Sequence, residues 1–120
     1  MLDQNTIFDP EEALARVDHD TDIFQTMAEL FVEQGPQDLA AAQAALAAGD
    51  AASVARSAHR LKGAVLQFCA PSVFELTKRL EELGKAGDLT SAAAVCGRLE
   101  PELVRLCAEL RRFIDKGSAV

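Results

Sequence analysis

The chain has two histidines, and they keep very different company. His59 stands in the run Arg56-Ser57-Ala58-His59-Arg60-Leu61-Lys62-Gly63. A neutral imidazole nitrogen is a good nucleophile near neutral pH. Lys62 follows one helical turn later, where an ammonium group can stabilise charge on incoming phosphoryl oxygens. Gly63 lies one turn along on the same side. A glycine in mid-helix costs about 1 kcal/mol relative to alanine, so it needs a reason. Removing a side chain one turn from the imidazole lets another backbone approach it. Phosphoryl transfer depends mainly on positioning and charge stabilisation, so one exposed imidazole on a rigid helix can accept a phosphoryl group. His19, in Asp18-His19-Asp20, falls in a polar turn and reads as a loop residue.

The surroundings of His59 carry a second signal. Acids make up nineteen of the 120 residues, yet none lies between Ala51 and Phe74. That window holds Arg56, Arg60 and Lys62, so it predicts a basic face on an acidic protein. On a helical wheel the stripe Val54, Ala58, Leu61, Val65 and Phe68 turns inward, and His59, Gly63 and Leu66 turn outward. Ala52, Ala55 and Ala70 are also placed toward solvent. An outward apolar patch with a basic rim suits a protein partner. Arg56, Arg60 and Leu66 are therefore candidate docking residues.

Several elements must position this helix. Asp9-Pro10-Glu11-Glu12 has a capping acid, a proline at the first helical position and acids in the first turn. It opens a short helix ending near Asp18. A second start at Asp20 or Thr21 leads into Ile23, Met27, Leu30 and Phe31, which recur at helical spacing and are resumed by Leu39 and Leu46. Gly35-Pro36 interrupts it, and a kinked helix over 21–48 is expected. Gly49-Asp50 is a stop followed by a cap. The histidine helix follows and runs to Ala70-Pro71-Ser72. A further helix carries Val73, Leu76, Leu80 and Leu83 and closes at Gly84 and Gly87-Asp88. The last shows Leu89, Ala92, Cys96, Leu99, Leu103, Leu106, Leu110 and Phe113, a 3-4 alternation typical of bundles. Pro101 predicts a kink or brief break near Glu100. The expected fold is all-α, an antiparallel four-helix bundle with a short extra N-terminal helix. Residues 1–8 form an arm, 9–115 the domain and 116–120 a loose tail.

Composition excludes several functions. A net charge of -7 argues against general nucleic-acid binding and against docking on anionic membranes. No secretory signal or membrane-length apolar run is present, so a cytoplasmic protein is expected. Cys69, Cys96 and Cys107 form no C-x-x-C pair and read as reduced core thiols rather than a disulfide or zinc site. Glu29, Glu33, Glu81 and Glu82 could suggest a di-metal bundle, but that chemistry uses Glu-x-x-His pairs, and none occurs. No metal site is expected. Glycine-rich phosphate loops and nucleophile elbows are missing, so nothing points to ATP binding or kinase activity.

The run Ala58-His59-Arg60-Leu61-Lys62-Gly63 resembles the histidine-containing phosphotransfer (HPt) domains of bacterial multistep phosphorelays, whose signature is His-x-x-Lys-Gly. The resemblance spans most of the chain. Phe8 to Arg16 looks like the family's opening helix, and Leu30-Phe31-Val32 with Pro36 and Leu39 looks like its second. Ala47-Ala48-Gly49-Asp50 leads into the histidine helix, and Leu80 to Asp88 looks like the end of the next helix and its turn. The resemblance implies that His59 is phosphorylated, that Lys62 stabilises charge and that Gly63 gives access. Gln67 stands where the family often has a polar residue, a candidate contact for the imidazole or a partner. Cys69 stands where many members have glycine, and Thr77 where many have cysteine. The implied partners are response-regulator receiver domains or a hybrid sensor histidine kinase. Phosphate would pass from a receiver aspartate to His59 and on to another receiver. No resident cofactor is implied, since the receiver would bring the magnesium. A monomer is expected, because one face of each helix closes a bundle. Met1 and the tail lean toward a free-standing protein. Two rivals remain. A kinase dimerisation domain would usually place an acid after the histidine, where Arg60 stands. A non-phosphorylated binding module would dock on receivers without needing the His59, Lys62 and Gly63 set.

Overall fold

The computed structural model describes residues 7–116. Its order is α1 (Pro10–Ala15), α2 (Thr21–Ala48), α3 (Ala51–Val65), a 3-10 turn (Leu66–Phe68), α4 (Pro71–Ala86) and α5 (Leu89–Lys116). The described residues contain no strand. Helices α2, α3, α4 and α5 close a ring, each packing on the next and α5 on α2, while α1 lies against α2 and the 3-10 turn. Two-residue connections at Gly49-Asp50 and Gly87-Asp88 leave room only for antiparallel neighbours.

Local chemistry explains the boundaries. Asp9, Asp20, Asp50 and Asp88 each accept the backbone N–H three residues on, which satisfies an otherwise unpaired donor at a helix start. Gly49 and Gly87 end α2 and α4 with φ of 70° and 74°, in the left-handed region that glycine enters without steric cost. The N–H groups of Asp50 and Asp88 then reach back to the carbonyls of Ala45 and Leu83. Each Gly-Asp pair thus stops one helix and starts the next.

Neither internal proline breaks its helix. Pro36 and Pro101 lie on outward faces of α2 and α5, both uninterrupted. The carbonyl each proline leaves unpaired can turn to water while the inner face stays packed. Of the kink or brief break expected near Glu100, the break is not present.

The expected stripe of α2 holds in part: Phe31 and Leu39 are buried, and Met27 and Leu46 are partly buried against the core. Ile23 and Leu30 are exposed, and Phe24, Ala28, Ala42 and Ala45 complete the buried face. Adjacent apolar residues leave the register open, and the larger ring wins the interior. Phe24 meets Phe68 and Phe113 edge-on, at centroid distances of 5.9 and 5.1 Å, and Phe31 meets Phe68 at 5.2 Å. The stripes expected in α3, α4 and α5 face the core as read, with Leu76, Leu89 and Phe113 partly buried at their margins.

The end of the histidine helix also differs. Helix α3 stops at Val65, tightens into the 3-10 turn and leaves it through Cys69 at φ 53°. A helical wheel cannot be carried past that turn, and Ala70 is buried rather than exposed. Ala55 is half-buried against α4. The left-handed backbone at Cys69 is the conformation that favours glycine. Thr77 is wholly buried, and its hydroxyl donates to the Val73 carbonyl at 2.6 Å. The arm is not free at its inner end: Ile7 and Phe8 are core residues, Phe8 packs on Phe113, and the Asp9 N–H donates to the Cys69 carbonyl. Residues 1–6 and the tail beyond Lys116 lie outside the described residues.

Candidate functional site

Helix α3 presents His59 to solvent, with 69% of its side chain exposed. The periodicity that buries Val54, Ala58, Leu61 and Val65 leaves His59 and Gly63 on the opposite side. A Cβ built on Gly63 would meet nothing within 4 Å, so packing within this chain does not require glycine there. The position is open for an approaching partner.

One neighbour is unexpected. Glu81 of α4 is buried, and its carboxylate lies beneath the imidazole. His59 Nδ1 is 2.9 Å from Glu81 Oε2. Lys62 Nζ is 2.6 Å from Oε1, and Lys85 Nζ is 3.2 Å from Oε2. The Lys62 ammonium, opposed by burial and helped by His59 and Lys85, holds the Glu81 carboxyl down at about 2. Glu81 is therefore ionised at neutral pH and can only accept hydrogen bonds. The Nδ1 atom must be the donor, so the neutral ring carries its proton there and Nε2 keeps a free lone pair pointing away from Glu81.

Close packing of α3 on α4 puts the carboxylate in reach. A Cβ on Gly84 would lie 2.8 Å from the Ala55 backbone nitrogen and 3.1 Å from its Cα. Real side chains do not tolerate such contacts, so only glycine lets the two backbones approach this closely. Gly84 is three residues after Glu81, and Ala55 is four before His59. The contact thus sets the register one turn from the reacting pair.

The other candidates are placed as follows. Lys62 sits on the flank of α3 facing α4, mostly buried and bound to Glu81. Arg60 points to the other flank, where Nε approaches the buried Asp38 carboxylate of α2 at 3.4 Å. Arg56 donates to the Ser53 hydroxyl at 2.7 Å, and that hydroxyl donates to Asp50. Leu66 is 48% exposed. Gln67 is exposed on the 3-10 turn, and the ring nitrogen takes Glu81 as its partner instead. Leu30, Gln34 and Asp38 recur at four-residue spacing on α2, and Asp38 meets Arg60. The exposed Ile23 and Leu30 therefore extend an apolar stripe along the α2 flank of this face.

The acid-free window of α3 still meets acids beneath the surface, because α4 and α2 bring the buried Glu81 and Asp38 against its two flanks. Sequence reading set Glu81 aside among possible metal ligands. A sign was available: Thr77, Leu80, Glu81 and Gly84 share the inward face of α4, and a carboxylate on such a face requires a cation. Among the described residues no group of three or more His, Cys, Asp or Glu side chains could hold a metal ion, and no helix is long and apolar enough to cross a membrane.

The site is an exposed imidazole on a helical bundle, backed by an ionised carboxylate and flanked by lysine. The Hpt domain family matches over residues 26–117, most of the chain, and the chain belongs to that family of phosphocarriers in phosphorelays. The structure of histidine-containing phosphotransfer protein B from Pseudomonas aeruginosa PAO1 is similar at a TM-score of 0.82, with 25% identity over 91% of this chain and 95% of that one. The HPT domain of a sensor hybrid histidine kinase from Shewanella shares the fold at a TM-score of 0.83, with 18% identity over 93% of this chain and 97% of that one. No curated protein matched the chain.

Proposed function

We propose that His59 is the phosphoacceptor, taking its phosphoryl group on Nε2 from a receiver-domain aspartyl phosphate and passing it to a second receiver. The observation that carries this reading is the Nδ1–Glu81 contact, which leaves Nε2 free and exposed. In the transfer, the Nε2 lone pair attacks phosphorus. The N–P bond forms as the P–O bond to the donor carboxylate breaks, and that carboxylate keeps the bonding pair. The proton stays on Nδ1. The ring becomes positively charged, and the Glu81 carboxylate beside it offsets that charge. No proton enters or leaves the site, so the step runs readily in reverse toward the second receiver.

Lys62 is the charge-stabilising residue, and Gly63 is the opening for the receiver's loops. Leu66 docks the receiver together with Ile23 and Leu30, while Arg56, Arg60 and Gln67 form the polar rim. The receiver supplies magnesium from its own acidic pocket. The protein acts as a monomeric phosphocarrier and not as a kinase, and its three free cysteines suit the reducing cytoplasm.

The test is incubation with phosphorylated receivers. An acid-labile, alkali-stable label is expected on the wild-type protein and none on His59→Gln. Label persisting in His59→Gln would overturn the site. No label from any receiver would favour a docking module that carries no phosphate.

A further inference from the structure

Glu81 holds more positive charge than it needs. Two lysines and an imidazole N–H converge on one buried carboxylate, so the resting site has one positive charge in excess. The two lysines are not equivalent. Lys62 shares α3 with His59, one turn along, and takes Oε1 alone. Lys85 shares α4 with Glu81 at i, i+4, and takes Oε2 beside the imidazole. Lys62 is thus tied to the helix that carries the nucleophile, and Lys85 to the helix that carries the carboxylate.

Accepting a phosphoryl group places two negative charges on Nε2 and one positive charge on the ring. The nearby ammonium groups are drawn toward the new oxygens. If Lys62 left a Glu81 that no other ammonium held, the buried carboxylate would keep only the imidazole Nδ1–H, whose ring charge is shared with the phosphoryl group, and such a weakly compensated buried anion is unfavourable. With Lys85 already on Oε2, the carboxylate remains neutralised after Lys62 turns away.

Resting on the phosphoacceptor reading, we propose that Lys85 is a positioning residue for phosphoryl transfer: it keeps Glu81 paired so that Lys62 is free to move onto the phosphoryl group. Lys85 touches neither nucleophile nor phosphate. It acts through Glu81 and Lys62. Its side chain is largely exposed, so its replacement leaves the bundle intact.

The experiment compares wild type, Lys85→Met and Lys85→Arg. His59 is phosphorylated with a phosphorylated receiver and, separately, with phosphoramidate, which needs no docking. The rate of label uptake is followed beside the NMR signals of the Lys62 side chain, assigned with Lys62→Arg. In wild type the Lys62 signals shift on phosphorylation. In Lys85→Met that shift is largely lost, and uptake from both donors slows by about tenfold, less than the loss of a direct charge contact. Lys85→Arg restores both. Slowing with the receiver alone would mark Lys85 as a docking residue and overturn the proposal. So would a labelled wild type whose Lys62 signals stay still, or a Lys85→Met protein that behaves as wild type. A wild type that takes no label on His59 from either donor overturns the phosphoacceptor reading, and this proposal with it.

Discussion

Two buried carboxylates press against α3 from opposite flanks, and they do different work. Glu81, from α4, is contacted by Lys62, His59 and Lys85 at 2.6 to 3.2 Å. Asp38, from α2, is approached by Gln34 at 3.3 Å and Arg60 at 3.4 Å. Both side chains are 5% exposed. Burial therefore does not distinguish them; their partners do. Glu81 touches the imidazole and selects which nitrogen is free. Asp38 touches residues that join two helices and has no path to Nε2. A buried acid is a chemical group only where a reacting atom shares its hydrogen bonds.

The sharpest way to break this contrast is to neutralise each acid in turn. Glu81→Gln can donate to Nδ1 as well as accept, so the ring tautomer is no longer imposed. Transfer to His59 is expected to fall by about a hundredfold or more, as when an orienting carboxylate behind a histidine is lost. Asp38→Asn should leave the transfer rate within about twofold and remove about 1 kcal/mol of stability through a weakened hydrogen bond. Equal effects on transfer, measured with one phosphorylated receiver, would erase the distinction.

Moving the carboxylate without changing it is the next largest perturbation. Gly84→Ala would drive a Cβ into the Ala55 backbone and separate α3 from α4. A loss of about 1–3 kcal/mol is expected from overpacking, with transfer slowed by about tenfold as Glu81 leaves Nδ1. Gly35→Ala is the counterpart on α2. There the new Cβ meets only the tip of the Phe31 ring at 3.1 Å, which can shift. Transfer by Gly35→Ala should match wild type, and urea titrations would show the smaller cost.

Acid gives a graded version of the same contrast. The Glu81 carboxyl sits at about 2 in the folded protein against 4.5 for the free group. Its folded value is depressed, so its contribution is fully present above pH 4.5 and is lost as pH falls toward 2. Thermal unfolding followed from pH 6 to pH 2.5 should decline through that window, and less steeply in Glu81→Gln.

The smallest expected change lies at Gly63. Gly63→Ala meets no neighbour in this chain and should raise stability by about 1 kcal/mol, the helix-propensity difference. Transfer from a receiver should slow nonetheless, while uptake from phosphoramidate should not. A variant that is both more stable and equally fast with receivers would deny Gly63 its role in access.

How much of this was legible beforehand follows from the range of each interaction. The Gly-Asp pairs at 49–50 and 87–88 marked their helix boundaries because capping bonds span three to five residues. The outward direction of His59 followed from the inward Val54, Ala58, Leu61 and Val65 around it. Reading failed where two solutions were locally equal, as for Ile23 against Phe24. It failed again where the wheel was run through the 3-10 turn to Ala70.

The sequence by itself determined the helices, their stops and the display of His59, Lys62 and Gly63 on one of them, because helical periodicity is a local property. Only the tertiary structure decided what lies beneath the histidine. Glu81 is 22 residues from His59. Their meeting depends on how closely α4 rides on α3, and that distance is set by a glycine against a backbone nitrogen on another helix.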